Sequence, residues 1–367
     1  MSEKKLIHFV SVYRFLALII VLYYHLVIIP TYSLEVVMVT NGTLSEPITP
    51  GNVLGLIGMY IYNTLHVDAG SLAVIMFFIA SGYLASTMMD RYSRKEYLVN
   101  RVLSTFPTLW ASIIIIAVTV FISQDIKFTL EDLLVSAFPI WPRNSGVFVS
   151  AVLWTLRIEL KFYLLVAIFG KNRKNLIFYG YALILFLSIA FYEFQVPWLY
   201  AQMYDLQFMT FAFLGVIIEC VQRENHPDGV KYVSLSVLFN ILLFKISAWI
   251  FQDGASRMSY PNVATQVLPV VLFLLLMKVE SRFPKLYQVL PKFVYSSGKL
   301  MLPLYLTHTA CGISVMLQMS LRGSGPYLTL LCGVVASFIV AGAIYLLITK
   351  PSHIWMKKAI AAMRRSH

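Results

Sequence analysis

Long apolar runs alternate with short polar segments along the whole chain. Each run holds roughly 17–25 residues, the length that a helix needs to cross the hydrocarbon core of a bilayer. The pattern therefore predicts an all-α, polytopic integral membrane protein with about ten transmembrane helices. The predicted spans are residues 8–30, 68–88, 104–122, 148–170, 175–193, 205–222, 230–251, 260–279, 300–320 and 326–349.

Composition supports this interpretation. Hydrophobic residues make up 59% of the chain and charged residues 13%, whereas a soluble domain carries roughly 25% charge. Most linkers are too short to hold a domain, so we expect one transmembrane domain over residues 1–367. The 3 cysteines have unrelated spacings and lie in apolar runs, so we expect small buried side chains rather than a metal site or a disulfide framework.

The net charge of +12 is explained by topology rather than by nucleic acid. Of the 29 lysines and arginines, 21 lie before, between or after the spans on one side of the predicted membrane, 4 on the other side and 4 within spans. By the positive-inside rule this places both termini in the cytoplasm and requires an even number of spans. The expected surroundings are membrane lipids, with no nucleic-acid partner.

The first span carries two ionisable residues, Arg14 and His25. Eleven residues at 100° each bring them to the same face, separated by roughly 16 Å along the helix axis. Charges within a span are costly and indicate function by default. This face suits a substrate with an anionic head in the cytosol and a reactive group inside the membrane. The alternative is a snorkelling arginine and a hydrogen-bonded structural histidine.

The fourth span contains three charges, Arg157, Glu159 and Lys161. Arg157 and Lys161 are four residues apart and share a face, whereas Glu159 shares another face with Thr155 and Tyr163. Glu159 must therefore find its partner elsewhere, and the two ionisable residues of the first span are the candidates. The alternative is a buried ion pair that only fixes helix packing.

Other polar positions carry weaker signals. Asp68 lies at the outer mouth of the second span, and Ser81 and Gly82 lie within it. His308 is an isolated histidine near the start of the ninth span. The alternative to a functional role is a solvated interface for Asp68, small-residue helix packing for Ser81 and Gly82, and a structural role for His308.

Five segments carry a resemblance to a known family when they are taken in order. They read RFLALIIVLYYH at 14–25, FFIASGYL at 77–84, NRVLSTFPTLW at 100–110, LWTLRIELKFYLL at 153–165 and LPLYLTH at 302–308. Together they resemble the motifs of the acyltransferase-3 family of integral membrane acyltransferases, whose transmembrane plan is also ten spans with cytoplasmic ends.

The resemblance implies O-acylation, usually acetylation, of a cell-surface glycan or glycolipid such as a polysaccharide or O-antigen, in a bacterial inner membrane. Acetyl-CoA is then the acyl donor, no metal is expected, and a periplasmic or biosynthetic partner would be a separate protein because no SGNH-type domain follows the last span. The family often has a second arginine in the third motif, where this chain has Ser104, so only Arg101 carries over.

The implied site has three parts. His25 acts as general base, or transiently carries the acyl group, and Glu159 orients it as the carboxylate does in a Ser-His-Asp triad. The donor is held by one group of residues and the acceptor by another. The donor group is Arg14, Arg101, Ser81 and Gly82, and the acceptor group is Tyr163, His308 and Asp68.

Two other functions fit parts of the pattern. Ten helices with charges near the midplane also describe a transporter or flippase for a glycolipid or glycan precursor. A membrane-bound O-acyltransferase of the other large family would rely on a late histidine, for which only His308 is available. Release of coenzyme A separates the transporter from the enzymes, and comparison of His25→Ala with His308→Ala separates the two enzymes.

Overall fold

A computed structural model of the protein describes residues 8–32, 48–49, 51–140, 148–150, 152–194, 197–250, 261–289 and 292–365. Residues 33–47 and 141–147, which belong to the two longest predicted linkers, lie outside this part. The described residues form helices and connecting turns without a strand, so the predicted all-α, polytopic membrane fold is confirmed. The helices are α1 (His8–Tyr23), α2 (Ile29–Tyr32), α3 (Val53–Leu65), α4 (Ala69–Met89), α5 (Arg94–Gln124), α6 (Leu130–Ala137), α7 (Leu153–Phe169), α8 (Arg173–Phe194), α9 (Pro197–Glu224), α10 (Gly229–Ile250), α11 (Val263–Arg282), α12 (Pro284–Val289), α13 (Lys292–Thr307), α14 (Ile313–Leu321), α15 (Pro326–Ile344) and α16 (Lys350–Arg365).

Three short π-helical segments join consecutive α-helices into longer rods. They are Tyr24–Ile28 between α1 and α2, His308–Gly312 between α13 and α14, and Tyr345–Thr349 between α15 and α16. A π segment inserts an extra residue into a helical turn and is frequently found at a functional site. Two of the three contain a histidine.

Eight helical segments of the described chain are long and apolar enough to cross a bilayer. They coincide with eight of the ten predicted spans. The other two predicted spans, 148–170 and 175–193, correspond to α7 and α8. Helix α7 has 17 residues and includes three charged side chains, so length and hydropathy alone do not mark it as a span. The total of ten crossings stays a prediction.

Helices α4 and α9 form the centre of the bundle. A Cβ atom at Gly82 of α4 would overlap the carbonyl oxygen of Ala212, and one at Gly215 of α9 would overlap the carbonyl oxygen of Ile79. The two backbones are therefore in direct contact, as small residues permit in membrane helices. Helix α1 packs beside α4, which brings the ionisable face of the first span next to this centre.

The charges of α7 divide between two faces, as the spacing predicted. Asp205 of α9 accepts hydrogen bonds from Arg157 and Lys161, with nitrogen–oxygen distances of 2.8 and 2.7 Å. The sequence did not indicate Asp205 as their partner. Because Asp205 is fully buried, it neutralises charge where water cannot. Glu159, on the other face, is left for a different partner.

At the predicted cytoplasmic end, Arg173 of α8 forms contacts with both α4 and α9. The Arg173 guanidinium donates to the hydroxyl and carbonyl oxygens of Ser86, both at 2.7 Å, and to Asp90 at 2.6 Å. It also lies 3.4 Å from Glu219. Partial burial raises the pKa of Asp90, but its bonds with Arg173 and the charge of Arg223 lower it more, so the pKa lies below its ordinary value. This network fixes the ends of α4, α8 and α9 relative to one another.

Candidate active site

The two candidate histidines come together from opposite ends of the sequence. His25 lies in the first π segment and His308 begins the second. Their ring centroids are 5.0 Å apart, and Nε2 of His308 is 3.1 Å from Nδ1 of His25. Two irregular turns thus face each other and bring together two imidazoles that are 283 residues apart in the chain.

Backbone carbonyl groups hold both rings. Nδ1 of His25 is 3.1 Å from the carbonyl oxygen of Val21. Nδ1 of His308 is 3.0 Å from the carbonyl oxygen of Leu304 and 2.8 Å from that of Tyr305. His308 is fully buried and uses both ring nitrogens in these contacts. Nε2 of His25 makes no hydrogen bond with any residue that the structure describes.

Glu159 lies in a second polar cluster. Its Oε1 accepts a hydrogen bond of 2.7 Å from the hydroxyl of Ser81 on α4, and another from the hydroxyl of Tyr163, one turn further along α7. No hydrogen bond or salt bridge joins Glu159 to His25 in the described chain: these two hydroxyl groups bind Oε1 of Glu159, and Nδ1 of His25 faces His308. Glu159 therefore does not orient His25 directly.

Arg101 of α5 packs against this cluster from the predicted cytoplasmic side. Its guanidinium carbon lies 4.0 Å from the ring centroid of Tyr163 and 5.2 Å from that of Tyr97. These are cation–π distances, and such contacts strengthen when they are desolvated. Nε of Arg101 and the hydroxyl of Tyr97 are buried without a hydrogen-bond partner in the described chain. Arg101 thus stacks on the same tyrosine that donates to Glu159.

A small cavity of about 80 Å³ opens beside Glu159. Arg14 extends into its wall and forms no hydrogen bond or salt bridge with any described residue, so its guanidinium is available to a ligand. One part of the wall is polar and the rest is apolar. The polar residues are Arg14, Ser81, Thr155, Glu159 and Tyr305, and the apolar residues are Val74, Phe77, Phe78, Met301 and Leu302.

Tyr305 connects this cavity with the histidine pair. Its hydroxyl lies 2.6 Å from that of Thr155 in the cavity wall, and its ring centroid is 6.0 Å from that of His308. Phe77 packs on the same tyrosine with a centroid distance of 5.6 Å. The cavity and His308 therefore occupy adjacent turns of one helical rod, with Tyr305 between them.

A second pocket, of about 310 Å³, lies at the predicted cytoplasmic end of α5 and α7. Arg94 and Lys171 supply positive charge at its wall, and Tyr97 forms part of the wall next to Arg101. On α7, Ala167 lines this pocket, while Glu159 lines the cavity. The two spaces thus border α7 at different heights, about 12 Å apart along its axis between Glu159 and Ala167.

Two of the predicted site residues have structural contacts of their own. Gly82 packs against the backbone of α9, and it is the neighbouring Ser81 that lines the cavity. Asp68 caps α4, because its carboxylate oxygens accept hydrogen bonds from the amides of Gly70 and Ser71 at 3.3 and 2.9 Å. The small-residue packing that the sequence left open for Gly82 is the arrangement found.

Two residues of the site, Tyr305 and Tyr97, were not predicted, whereas Thr155 was predicted to share the face of Glu159 and Tyr163. Tyr305 is three residues before His308 and Tyr97 is four residues before Arg101, so helical spacing could have indicated both. The contacts of their side chains depend on how the helices pack, so they could not be recognised before the fold was known.

The described residues contain no group of three or more His, Cys, Asp or Glu side chains that could hold a metal ion. All three cysteines are free. Cys311 is buried as expected, whereas Cys220 and Cys332 are partly exposed. The prediction of buried cysteines was therefore right for one position and wrong for two.

The site thus combines a histidine pair, a cavity lined by a carboxylate and an arginine, and a basic pocket at the predicted cytoplasmic end. Residues 7–346 match the sequence model of Acyl_transf_3, described as an acyltransferase domain. The protein is therefore an integral membrane acyltransferase. The chain belongs to the acyltransferase-3 family, as its five motifs indicated. No curated protein and no solved structure matches it.

Proposed function

We propose that the protein transfers an acyl group, acetyl in the first instance, from acyl-CoA to a hydroxyl of a cell-surface glycan or glycolipid. The observation that carries this proposal is the position of the His25–His308 pair next to the cavity, with the basic pocket at the predicted cytoplasmic end. A donor held from the cytoplasm and an acceptor reached inside the membrane would meet at His25.

The chemistry of the cytoplasmic pocket fits the donor. Arg94 and Lys171 present cations at its wall, and both cation types bind phosphates, with arginine suited to bidentate contacts. Coenzyme A carries its phosphates at one end, so this end would lie here. Arg101, at the inner limit of the pocket, would contact the part of the donor that enters the membrane.

The membrane cavity fits the acyl arm. Arg14 and Ser81 offer hydrogen-bond donors, and Phe77 and Met301 offer apolar contact. A mixed lining of this kind binds a ligand through apolar area while a few polar groups fix its orientation. Acyl-CoA supplies an activated acyl group as a thioester, in which the carbonyl carbon is attacked and the carbon–sulfur bond breaks.

His25 would perform the proton transfer. Its Nε2 accepts the proton of the acceptor hydroxyl while the hydroxyl oxygen attacks the acyl carbon, and the same nitrogen returns the proton to the departing thiolate. An imidazole suits both steps near neutral pH. Transient acylation of the same nitrogen, followed by attack of the hydroxyl, is the alternative route. His25 is the catalytic residue in either case.

Glu159 would act on the donor side rather than on His25. Its carboxylate fixes the hydroxyl groups of Ser81 and Tyr163 and shares the cavity wall with Arg14. In a site of low dielectric a fixed charge of this kind orients nearby dipoles strongly. Glu159 would therefore hold Arg14 and the acyl carbonyl in a reactive arrangement.

The acceptor would approach from the extracytoplasmic side. His25 lies in the outer half of the first span, and Asp68 marks the outer mouth of the second. Tyr163 and His308, which the sequence assigned to the acceptor group, already have intramolecular partners, so we do not place them in contact with the acceptor. We place the reaction in the bacterial inner membrane, where a separate periplasmic or biosynthetic protein would deliver or receive the glycan.

The decisive experiment measures free coenzyme A released from acetyl-CoA by the purified protein in nanodiscs. Wild type and His25→Ala are compared with and without a membrane glycan extract, and His226→Ala, at a cytoplasmic turn, is the matched control. We expect release by wild type and His226→Ala and none above background by His25→Ala. Activity in a folded His25→Ala variant contradicts the mechanism. Failure of folded wild type to release coenzyme A in the presence of extract favours a carrier for glycolipid.

A further inference from the structure

The contacts of His308 determine where its proton lies. Its Nδ1 is 2.8 and 3.0 Å from two backbone carbonyl oxygens, those of Tyr305 and Leu304. A carbonyl oxygen can only accept a hydrogen bond, so Nδ1 carries the hydrogen. A neutral imidazole has one N–H and one acceptor nitrogen, and Nε2 of His308 is therefore an acceptor.

The same reasoning then fixes the proton of His25. Its Nδ1 faces two acceptors, Nε2 of His308 and the carbonyl oxygen of Val21, each at 3.1 Å. Nδ1 of His25 must therefore donate. The hydrogen of neutral His25 then lies on Nδ1, and the lone pair lies on Nε2, the nitrogen without a hydrogen bond in the described chain.

We propose that His308 is a positioning residue that holds His25 in the Nδ1–H tautomer, so that Nε2 is the nitrogen that takes the acceptor's proton. This inference rests on the proposed function for its chemical meaning, although the tautomer can be measured without turnover. His308 is fully buried and acts through His25 rather than on a substrate. It takes the place that sequence reasoning gave to Glu159.

The arrangement also supports the charged state of His25. When Nε2 takes up a proton, both ring nitrogens of His25 are donors, and Nδ1–H keeps its acceptor on His308. A second ring in this place orients the base as the aspartate does in a Ser-His-Asp triad, but without a negative charge. Because both residues lie in π segments, the pair depends on two irregular turns.

The test reads the tautomer directly. Protein labelled with ¹⁵N-histidine is reconstituted in nanodiscs, and the His25 resonances are assigned from a His25→Gln variant. We expect the pattern of an Nδ1–H imidazole in wild type. Three variants follow: His308→Leu removes the acceptor, His308→Gln restores one with its side-chain carbonyl, and His353→Leu is a control on a cytoplasmic helix.

We expect His308→Leu to shift His25 towards the Nε2–H tautomer, whereas His308→Gln and His353→Leu keep the wild-type tautomer. In the coenzyme A assay, His308→Leu should lower kcat by about 100-fold, which is within the range for loss of general-base catalysis. Its KM should stay within about twofold, because a positioning residue does not bind the ground state. His308→Gln should recover kcat to within about tenfold of wild type.

Two results would overturn the proposal. One is an Nε2–H tautomer of His25 in wild type. The other is an Nδ1–H tautomer that persists in His308→Leu, because Val21 alone would then hold the ring. If His308→Leu does not fold, the tautomer of wild type and the kcat of His308→Gln still test the proposal. Absence of coenzyme A release from wild type would refute the proposed function, while the tautomer readings would remain valid.

Discussion

Ser81 on α4 donates its hydroxyl hydrogen to Glu159 on α7 over 2.7 Å. The bond joins two helices that the sequence separates by 78 residues, and both residues line the cavity. It also explains how a carboxylate can be kept inside the membrane without a direct basic partner. Glu159 is stabilised by two hydroxyl groups. Two positive charges also lie near it, because Arg14 lines the same cavity and Arg101 stacks on Tyr163.

Removal of the Glu159 carboxylate should abolish transfer, whereas removal of the Ser81 hydroxyl should only weaken it. For Glu159→Ala we expect a loss of at least about 100-fold in kcat/KM, on the scale of a lost preorganised charge. For Ser81→Ala we expect about fivefold, which corresponds to one hydrogen bond of about 1 kcal/mol. Coenzyme A release measures both. Exposed Glu131→Gln is the control, and thermal unfolding verifies that each variant is folded. Near-normal activity of folded Glu159→Ala would contradict the assigned role.

Gly82 should tolerate no side chain, although alanine is the better helix former. In Gly82→Ala the new methyl group meets the Ala212 carbonyl, and overpacking of this kind costs about 1–3 kcal/mol. Gly342→Ala is the matched control, because a Cβ there meets nothing within 4 Å. We expect the thermal midpoint to fall for Gly82→Ala and to stay level or rise for Gly342→Ala. Equal midpoints in the two variants would show that α4 and α9 are not in contact at Gly82.

Enlargement of the cavity should change the preferred donor. Met301 is buried and lines the apolar part of the wall, so Met301→Ala leaves room for a longer acyl group. We expect the ratio of kcat/KM for butyryl-CoA to that for acetyl-CoA to rise by about tenfold, the discrimination typical of one or two methylene groups. Leu275→Ala, at an exposed position of α11, should leave the ratio unchanged. An unchanged ratio in Met301→Ala would show that the acyl group is not held in this cavity.

Arg101→Lys keeps the positive charge but loses the flat guanidinium that stacks on Tyr163 and Tyr97. Arginine and lysine are not interchangeable at stacked sites. We expect KM for acetyl-CoA to rise by about fivefold, the equivalent of about 1 kcal/mol of cation–π contact. Lys95→Arg, on the exposed side of the same helix, is the control. A KM equal to that of wild type would show that the stacking does not serve the donor.

The Arg173 network should make stability depend on pH. Because the pKa of Asp90 is lowered in the folded protein, its contribution is present above the unfolded pKa and is lost as the pH falls through the folded pKa. Arg173→Met should lower stability by about 1–3 kcal/mol at neutral pH, since it leaves buried partners unsatisfied. The difference in unfolding free energy between Arg173→Met and wild type should become smaller at acidic pH. Thermal unfolding at neutral and acidic pH measures this, with exposed Lys174→Met as the control. A constant difference across this pH range would contradict the role of Asp90.

The sequence predicted the helices of this protein well, because apolar runs of membrane length have few alternative structures. It also predicted that Arg157 and Lys161 share a face and that Glu159 needs another partner. It could not provide Asp205 or Ser81 as those partners. Periodicity fixes which face of a helix a residue occupies, but the rotation and depth of each helix depend on packing between helices.

The histidine pair shows the same limit. His25 and His308 were both candidates, yet nothing in the spacing related one to the other, and Glu159 was assigned to His25 instead. The missing information was the pair of π segments, which change the direction of one side chain in each helix. A regular helix at 100° per residue cannot represent such a change. The motifs supplied the candidate residues, whereas their mutual geometry required the fold.

Helix α7 borders both spaces, so its length sets the smallest distance that a molecule bound in both must span. From Ala167 in the cytoplasmic pocket to Thr155 in the cavity wall is twelve residues, or about 18 Å of helix. A molecule whose phosphates stay among Arg94 and Lys171 can present an acyl group in the cavity only at the end of a long flexible arm. A compact activated acid such as acetyl phosphate is too short to span this distance. Under the proposed function, this distance would select the donor by its length before any contact with the acyl group itself.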